Sequence, residues 1–180
     1  KMLERLDWIF TQDQKSLELL HKIGIEHAFQ AGDTRFDRVA ATASSPKTLP
    51  EIKNWIQDFP VVVVGSAWQE DMDILIPLIN SKPGYRWIIA PQDLHPEPMN
   101  RWADAISAKS EKFSEGKFSP DSQVLFIDNI GMLSSLYQFA KVAYIGGAFG
   151  KGLHNILEAI GFGIPVIFGK VKKAGKFPEA

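Results

Sequence analysis

The residues best suited to chemistry lie in one stretch, a glycine-rich loop late in the chain. The apolar run Val142 to Ile145 leads into this loop, which contains Gly146, Gly147, Gly150 and Gly152 and opens into a short amphipathic helix. Free backbone N–H groups of such a loop, together with the dipole of a helix N-terminus, favour a bound phosphate. The stretch therefore predicts an anion site.

Three polar residues follow the loop and refine this prediction. His154 can make a charge-assisted contact with a phosphate, and Glu158, one turn into the helix, can accept hydrogen bonds from sugar hydroxyls. Asn155 and Glu158 also have the spacing of a capping box. The four glycines favour a bound ligand over a simple cap. Each glycine increases the conformational entropy that the loop loses on folding, and the close approach of a ligand is the simpler reason for so many of them. The order of residues indicates a nucleotide-sugar pocket rather than a nucleotide-hydrolysing one.

Two other loops follow apolar runs and carry candidate ligand contacts. Gly65 and Ser66 end one run, where the Ser66 hydroxyl can donate to a phosphate or carboxylate, or the pair can simply form a turn. Pro91 and Gln92 end the next, where a proline can wall a planar base. His95, close by, is interpreted as a solvated loop histidine, and nothing in the sequence pairs it with a nucleophile.

A fourth loop runs from Asp128 to Gly131. Its backbone groups can recognise the edge of a base while Ile130 packs on the face of that base. The simpler interpretation is an Asx turn in which Asp128 caps the following helix. Both interpretations are compatible.

The elements that position these loops alternate between strands and helices. Val61 to Val64 is β-branched without polar alternation, as in a strand buried on both faces. Four further strands are predicted, at 85–90, 124–127, 142–145 and 166–168, with helices at 70–80, 97–109, 132–140 and around 154–161. This order predicts an α/β fold, a Rossmann-like parallel sheet with helices on both faces, whose loops converge at the carboxyl ends of the strands.

The rest of the chain suggests a second, incomplete region. Residues 1–45 are expected to be the tail of an amino-terminal domain and a linker, with 42–50 as a hinge, and residues 46–180 the Rossmann-like domain, truncated at its C-terminal end. Residues 110–122 are expected to form an exposed polar loop. A basic run, Lys170, Lys172, Lys173 and Lys176, is interpreted as a solvated segment. Both ends suggest a piece of a longer protein.

Composition excludes several classes of function. The net charge of −1 over 180 residues argues against a nucleic-acid partner. The absence of cysteine excludes a disulfide framework, cysteine-ligated zinc and a thiol nucleophile. The four histidines are scattered, so no metal site is predicted. No apolar run approaches the roughly 20 residues of a membrane helix.

The motifs resemble those of one family. The chain is similar to the carboxyl-terminal half of 3-deoxy-D-manno-octulosonic acid (Kdo) transferases, and looks most like the version in Bacteroidetes-type bacteria. The matching pieces cover nearly the whole chain: Gly32 to Val39, Val64 to Asp71, Ile127 to Gly131 with Leu133, and Gly146 to Pro165. The last also carries a general signal of two-domain GT-B glycosyltransferases.

The resemblance implies a donor site for CMP-Kdo, with no cofactor besides this donor substrate. It implies cytosine at the backbone around Ile130, Gly131 and Met132, walled by Pro91, and ribose hydroxyls at Glu158. The implied phosphate contacts are Gly147, Asn155 and the helix N-terminus, with Ser66 near the phosphate or the Kdo carboxylate. Gly146, Gln92 and His154 complete the candidate substrate-binding residues.

Two positions depart from the family pattern. Ala67 replaces the usual threonine, which removes a hydroxyl, and Gln92 stands where a basic residue is common, so that a charge contact to the donor is lost or moved.

The resemblance further implies inverting transfer of Kdo to a lipid A precursor in lipopolysaccharide biosynthesis, at the cytoplasmic face of the bacterial inner membrane. The catalytic general base is expected on the amino-terminal domain, which is also expected to make any membrane contact. The fragment is therefore expected to be soluble, and inactive by itself. Two alternatives stay open: another GT-B enzyme that uses a UDP-sugar, as a transferase or epimerase, and a non-catalytic nucleotide-binding module.

Overall fold

The computed structural model describes residues 2–150 and 152–170. Contacts between Cα atoms divide the chain into two compact units, Lys1–Ala41 and Thr42–Ala180. Three residues of the basic run, Lys172, Lys173 and Lys176, lie outside the described residues. No helix in the described ranges is long and apolar enough to cross a membrane.

The first unit contains two short parallel strands. Strand β1 is Ile9–Thr11 and β2 is Ala28–Gln30, with Ile9 paired to Ala28. Helix α1, Gln14–Lys22, connects them and is capped by Asp13, whose carboxylate accepts from the Ser16 N–H at 2.8 Å. Elements β1, α1 and β2 thus follow one another as strand, helix and strand.

The second unit is built on six parallel strands in the order β5-β6-β4-β3-β7-β8. Its strands are β3 Val61–Ala67, β4 Arg86–Pro91, β5 Ser110–Lys112, β6 Val124–Phe126, β7 Val142–Ile145 and β8 Val166–Phe168. The helices that follow α1 are α2 Thr34–Ser44, α3 Pro50–Ile56, α4 Gln69–Ser81, α5 Pro96–Ala105, α6 Leu133–Leu136 and α7 Leu157–Ile160. Short 3-10 turns occupy Leu3–Arg5, Phe113–Glu115 and Tyr137–Phe139.

Apolar clusters lie on both faces of this sheet, as predicted. On one face the sheet packs against α3, α6 and α7, through residues such as Trp55, Leu136 and Ala159. On the other face it packs against α4 and α5, through Met72 and Trp102. Alternate residues of β3 enter the two clusters, which explains why its valines show no polar alternation.

Two predictions about irregular regions were wrong in part. Residues 110–122 are not simply an exposed loop, because Ser110–Lys112 pairs with Val124–Phe126 as an edge strand. An edge strand tolerates the polar sequence Ser-Glu-Lys because only one side joins the ladder. The expected hinge at 42–50 is shorter, since α2 extends to Ser44 and α3 begins at Pro50.

Candidate functional site

Four loops leave the sheet at the carboxyl ends of β6, β4, β3 and β7, which are consecutive neighbours in the sheet. All pairs are parallel, so the four loops lie side by side along one edge. The predicted convergence of these loops is therefore confirmed. In sheets of this type, ligands bind at this edge.

A buried carboxylate, which sequence reasoning did not place in the site, joins two of the loops. Asp71, in the first turn of α4, is 1 % exposed. Its Oδ2 accepts hydrogen bonds from the backbone N–H groups of Trp68 and Gly147, both at 3.0 Å, and its Oδ1 accepts from the Tyr144 hydroxyl at 2.8 Å. Burial, together with this carboxylate, raises the pKa of the Tyr144 phenol well above its ordinary value. Asp71 thus fixes the glycine loop against the loop after β3.

This contact corrects one predicted role. The Gly147 N–H was expected to bind a phosphate, but it already donates to Asp71. The sequence did contain a signal for Asp71. It is an acidic residue in the first turn of the helix that follows β3, and acidic residues stabilise that position.

The protein itself explains two of the four glycines. A Cβ on Gly146 would lie 2.4 Å from the Ser66 carbonyl oxygen, and a Cβ on Gly147 would lie 2.4 Å from that of Gly152. Gly147 also has φ +91°, a conformation that favours glycine. The prediction that a close ligand is the reason for these glycines was therefore wrong at both positions, where neighbouring backbone already occupies the space.

Ser66 occupies a strained position at the end of β3. Its φ is +54°, rare for a residue with a side chain. It lies in a bulge, where Gly65 pairs with Ala90 and Ala67 pairs with Pro91. Bulges and positive φ values concentrate at functional sites because they redirect a side chain. No sequence signal beyond the small residues themselves indicated this bulge.

His154 is held by a hydrogen bond to the side chain of Trp68, the residue before α4. Its Nε2 accepts a hydrogen bond from Trp68 Nε1 at 3.1 Å, and the planes of the two rings are nearly parallel, 17° apart. Burial lowers the pKa of His154 below its ordinary value, while the charge of Asp71 acts in the opposite direction. Because Nε2 accepts, the ring proton lies on Nδ1, and a hydrogen bond from this N–H to a phosphate stays a prediction.

The segment after the loop does not form the capping box considered above. Helix α7 has only four residues, begins at Leu157, and has Ile156 as N-cap. Asn155 Oδ1 accepts from the Leu157 N–H at 3.1 Å, two residues on, as in an Asx turn. Glu158 is half-buried in the first turn. The predicted helix around 154–161 is thus shorter, and its dipole is correspondingly small.

The loop after β6 presents both apolar and polar groups. Ile130 is 90 % exposed, Gly131 has φ +86°, and Met132 is buried. The Gly131 carbonyl accepts from Lys47 Nζ at 2.8 Å. Asp128 does not cap α6: its Oδ1 accepts from the Ser114 N–H at 2.9 Å, which corrects the Asx-turn interpretation.

The loop after β4 contains the remaining predicted contacts. Pro91 is buried as the last residue of its strand, and Gln92 is exposed, with its N–H donating to the Ala67 carbonyl at 3.0 Å. Ala67 is 1 % exposed and packs in the apolar cluster with Met72. A hydroxyl at position 67 would therefore face the core rather than the loops. Among the described residues no group of three or more potential metal ligands occurs.

Comparison with solved structures identifies the class. The chain resembles the C-terminal CMP-Kdo binding domain of WaaA from Acinetobacter baumannii, with TM-score 0.60, 21 % identity and coverage of 75 % of this chain and 72 % of that one. UDP-GlcNAc 2-epimerase from Neisseria meningitidis also matches, with TM-score 0.55, 17 % identity and coverage of 89 % and 42 %. The chain has the Rossmann-like fold of the C-terminal domain of GT-B glycosyltransferases, as predicted.

Sequence relatives identify the family within this class. The 3-deoxy-D-manno-octulosonic acid transferase of Rickettsia felis is 29 % identical over 93 % of this chain. That of Haemophilus influenzae is 32 % identical over 69 % of it. The chain is a relative of the Kdo transferases, and the resemblance read from its motifs is confirmed. It spans 37 % and 30 % of the length of these two relatives. No family model matches the chain.

Proposed function

We propose that this chain binds CMP-Kdo, and that in the full-length protein it is the donor-binding part of a transferase that moves Kdo to a lipid A precursor with inversion. The similarity to named Kdo transferases and to a domain described as CMP-Kdo binding supports this proposal. The proposal includes no cofactor besides the donor substrate. It places the full-length enzyme at the cytoplasmic face of the bacterial inner membrane.

The observation that carries the proposal is the pair of loops that Asp71 holds together. This contact fixes Gly147, at the start of the glycine-rich loop. The backbone N–H groups of Asn155 and Ile156 make no hydrogen bond with any residue in the described ranges. Unpaired N–H groups ahead of a helix are the donors that a phosphate uses.

The neighbouring loops provide contacts for the rest of the nucleotide. Ile130 offers an exposed apolar side chain beside the glycine turn, and we assign the cytosine to the backbone of this turn and Met132, with Pro91 as its wall. Glu158 lies half-buried in the first turn of α7 and accepts from the ribose hydroxyls. We assign Ser66, in the bulge of β3, to the phosphate or the Kdo carboxylate.

The chemistry follows from the leaving group. When the bond between the anomeric carbon and the phosphate breaks, positive charge develops on the sugar and negative charge on CMP. Backbone donors stabilise the phosphate, so no strong general acid is needed. The acceptor hydroxyl requires a base on the opposite side of the sugar. We place this base in the amino-terminal part of the full-length protein, so the 180-residue chain binds nucleotide without turnover.

Titration of the chain with CMP, UMP and AMP, followed by calorimetry, tests this function. We expect CMP to bind most tightly, and Glu158→Ala to weaken CMP binding by about tenfold or more, because hydrogen bonds to a charged group contribute about 1.5–3 kcal/mol. Glu26→Ala, at an exposed glutamate of the first unit, is the matched control.

Failure of all three nucleotides to bind would reject the donor site. A clear preference for UMP would instead support an enzyme that uses a UDP-sugar.

A further inference from the structure

The hydroxyl of Tyr137 is a buried polar group that the proposed site does not use. Tyr137 begins the 3-10 turn after α6 and is 1 % exposed. Its hydroxyl makes no hydrogen bond with any residue in the described part of the chain. A buried phenol almost always has a partner, because burial without one costs about 1–3 kcal/mol.

The hydroxyl oxygen is not fully enclosed. In the described ranges the enclosed side-chain atoms without a partner are Arg86 Nε and Trp87 Nε1, and the Tyr137 oxygen is not among them. Since this oxygen also lacks a partner, it retains an opening to the exterior. The phenol is therefore placed to serve a group that comes from outside the protein.

The position of Gly65 shows where the phenol oxygen lies in the fold. A Cβ on Gly65 would be 2.3 Å from the Tyr137 oxygen and 3.2 Å from a methyl group of Leu133. Gly65 stands at the carboxyl end of β3, directly before the bulge at Ser66. The absence of a side chain at position 65 thus leaves the phenol oxygen room at the ligand-binding edge of the sheet.

Tyr137 also lies on the face of the sheet that carries α7. It shares an apolar cluster with Ile156 and Ala159, which flank Glu158 in the chain. Burial, and after it the negative charge of Glu158, raise the pKa of the Tyr137 phenol. The phenol consequently stays protonated and acts as a donor, whereas the carboxylate only accepts.

We propose that the Tyr137 hydroxyl donates a hydrogen bond to a ribose hydroxyl of the bound nucleotide, so that Tyr137 and Glu158 bind the ribose together. This inference rests on the proposed function. A sugar hydroxyl is both a donor and an acceptor, so one hydroxyl can donate to the carboxylate while it accepts from the phenol.

The test compares ligands and variants in one cycle. CMP, 2′-deoxy-CMP and 3′-deoxy-CMP are titrated by calorimetry onto the chain and onto Tyr137→Phe, which removes only the oxygen. Tyr85→Phe, at a partly exposed tyrosine ahead of β4, is the matched control. Thermal unfolding of each variant checks that it is folded.

We expect Tyr137→Phe to weaken CMP binding about 3–10-fold, the value of one net hydrogen bond. We expect one deoxynucleotide to bind the unaltered chain more weakly than CMP, and the same deoxynucleotide to lose no further affinity in Tyr137→Phe. This non-additivity would not arise if the tyrosine only supported the fold.

Equal weakening of all three nucleotides by Tyr137→Phe, or no weakening, overturns the inference and leaves the donor site intact. Equal binding of all three nucleotides to the unaltered chain overturns it without reference to the variant. If CMP does not bind the unaltered chain, the proposed function fails as well.

Discussion

The two edges of the large sheet each bury a charged side chain, but the two charges are held differently. At the carboxyl edge, Asp71 accepts hydrogen bonds from two backbone N–H groups and the hydroxyl of Tyr144. At the amino edge, Arg86 is 4 % exposed and its guanidinium donates to the carbonyls of Ser122 and Pro120.

The surroundings of Arg86 are aromatic. Its guanidinium carbon lies 5.1 Å from the ring centroid of Trp55 and 4.5 Å from that of Phe59, while its Nε has no partner in the described chain. Arg86 therefore joins the start of β4 to the neighbouring helix and loop. Asp71 joins two loops that would hold a ligand. We infer that the amino-edge charge serves the fold, and the carboxyl-edge charge serves the geometry of the site.

The two edges can also be compared by their backbone conformation. Each edge contains one non-glycine residue with positive φ: Ser66, at +54°, in the bulge of β3, and Gln57, at +53°, where α3 ends. Such a conformation costs about 1–3 kcal/mol. The two residues allow strain near the proposed site to be compared with strain away from it.

The largest expected effect comes from Asp71→Asn. The amide keeps the volume, but its NH2 group replaces one of the two acceptor oxygens and leaves one or two donors without their acceptor, at about 1–3 kcal/mol each. We expect the free energy of unfolding to fall by about 2–5 kcal/mol, and CMP affinity to fall by about tenfold or more under conditions where the variant is folded. Urea denaturation and calorimetry measure the two effects.

Arg86→Met is the matched control for this prediction. It removes the cation–π contacts and two hydrogen bonds, so we expect a loss of stability of about 1–3 kcal/mol with CMP affinity unchanged. A parallel fall in CMP affinity for both variants would show that the two edges do not differ in function.

An intermediate effect is expected from glycine at the two positive-φ positions. Ser66→Gly and Gln57→Gly both relieve strain, and each should raise the free energy of unfolding by about 0.5–1 kcal/mol. We expect only Ser66→Gly to weaken CMP binding, because it also removes the proposed hydroxyl contact. Ser66→Ala keeps the strain and removes the hydroxyl, so unchanged CMP affinity in Ser66→Ala would argue against that contact.

The smallest effect is a dependence of stability on pH. Burial lowers the pKa of His154, so the folded protein binds fewer protons than the unfolded chain at this residue. The contribution of His154 is complete above about pH 6.5, the ordinary value, and is lost as the pH falls from there through the folded pKa. In urea denaturation at pH 7.5 and 5.5, His154→Gln should show a smaller loss of stability than the unaltered chain. An equal loss in both would contradict this assignment.

The sequence predicted most of the fold because buried strands have an unambiguous pattern. The all-valine run of β3 is typical of a strand covered on both faces, and the apolar runs of β4, β6 and β7 have the same character. Strand β5 was missed because Ser110, Glu111 and Lys112 are only partly buried, and a polar edge strand has the composition of a loop. The length of α7 was overestimated because Asn155 offers the backbone a turn in place of another helical residue.

For the candidate site, the sequence by itself determined which loops meet, because parallel strands bring their carboxyl ends to one edge. It also indicated the family, through motifs spread along the chain. The tertiary structure alone decided which groups in those loops stay free. Gly147 donates to Asp71, His154 accepts from Trp68, and Tyr137 reaches the sheet edge beside Gly65. These contacts join residues far apart in the chain, so no local pattern of residues could have specified them.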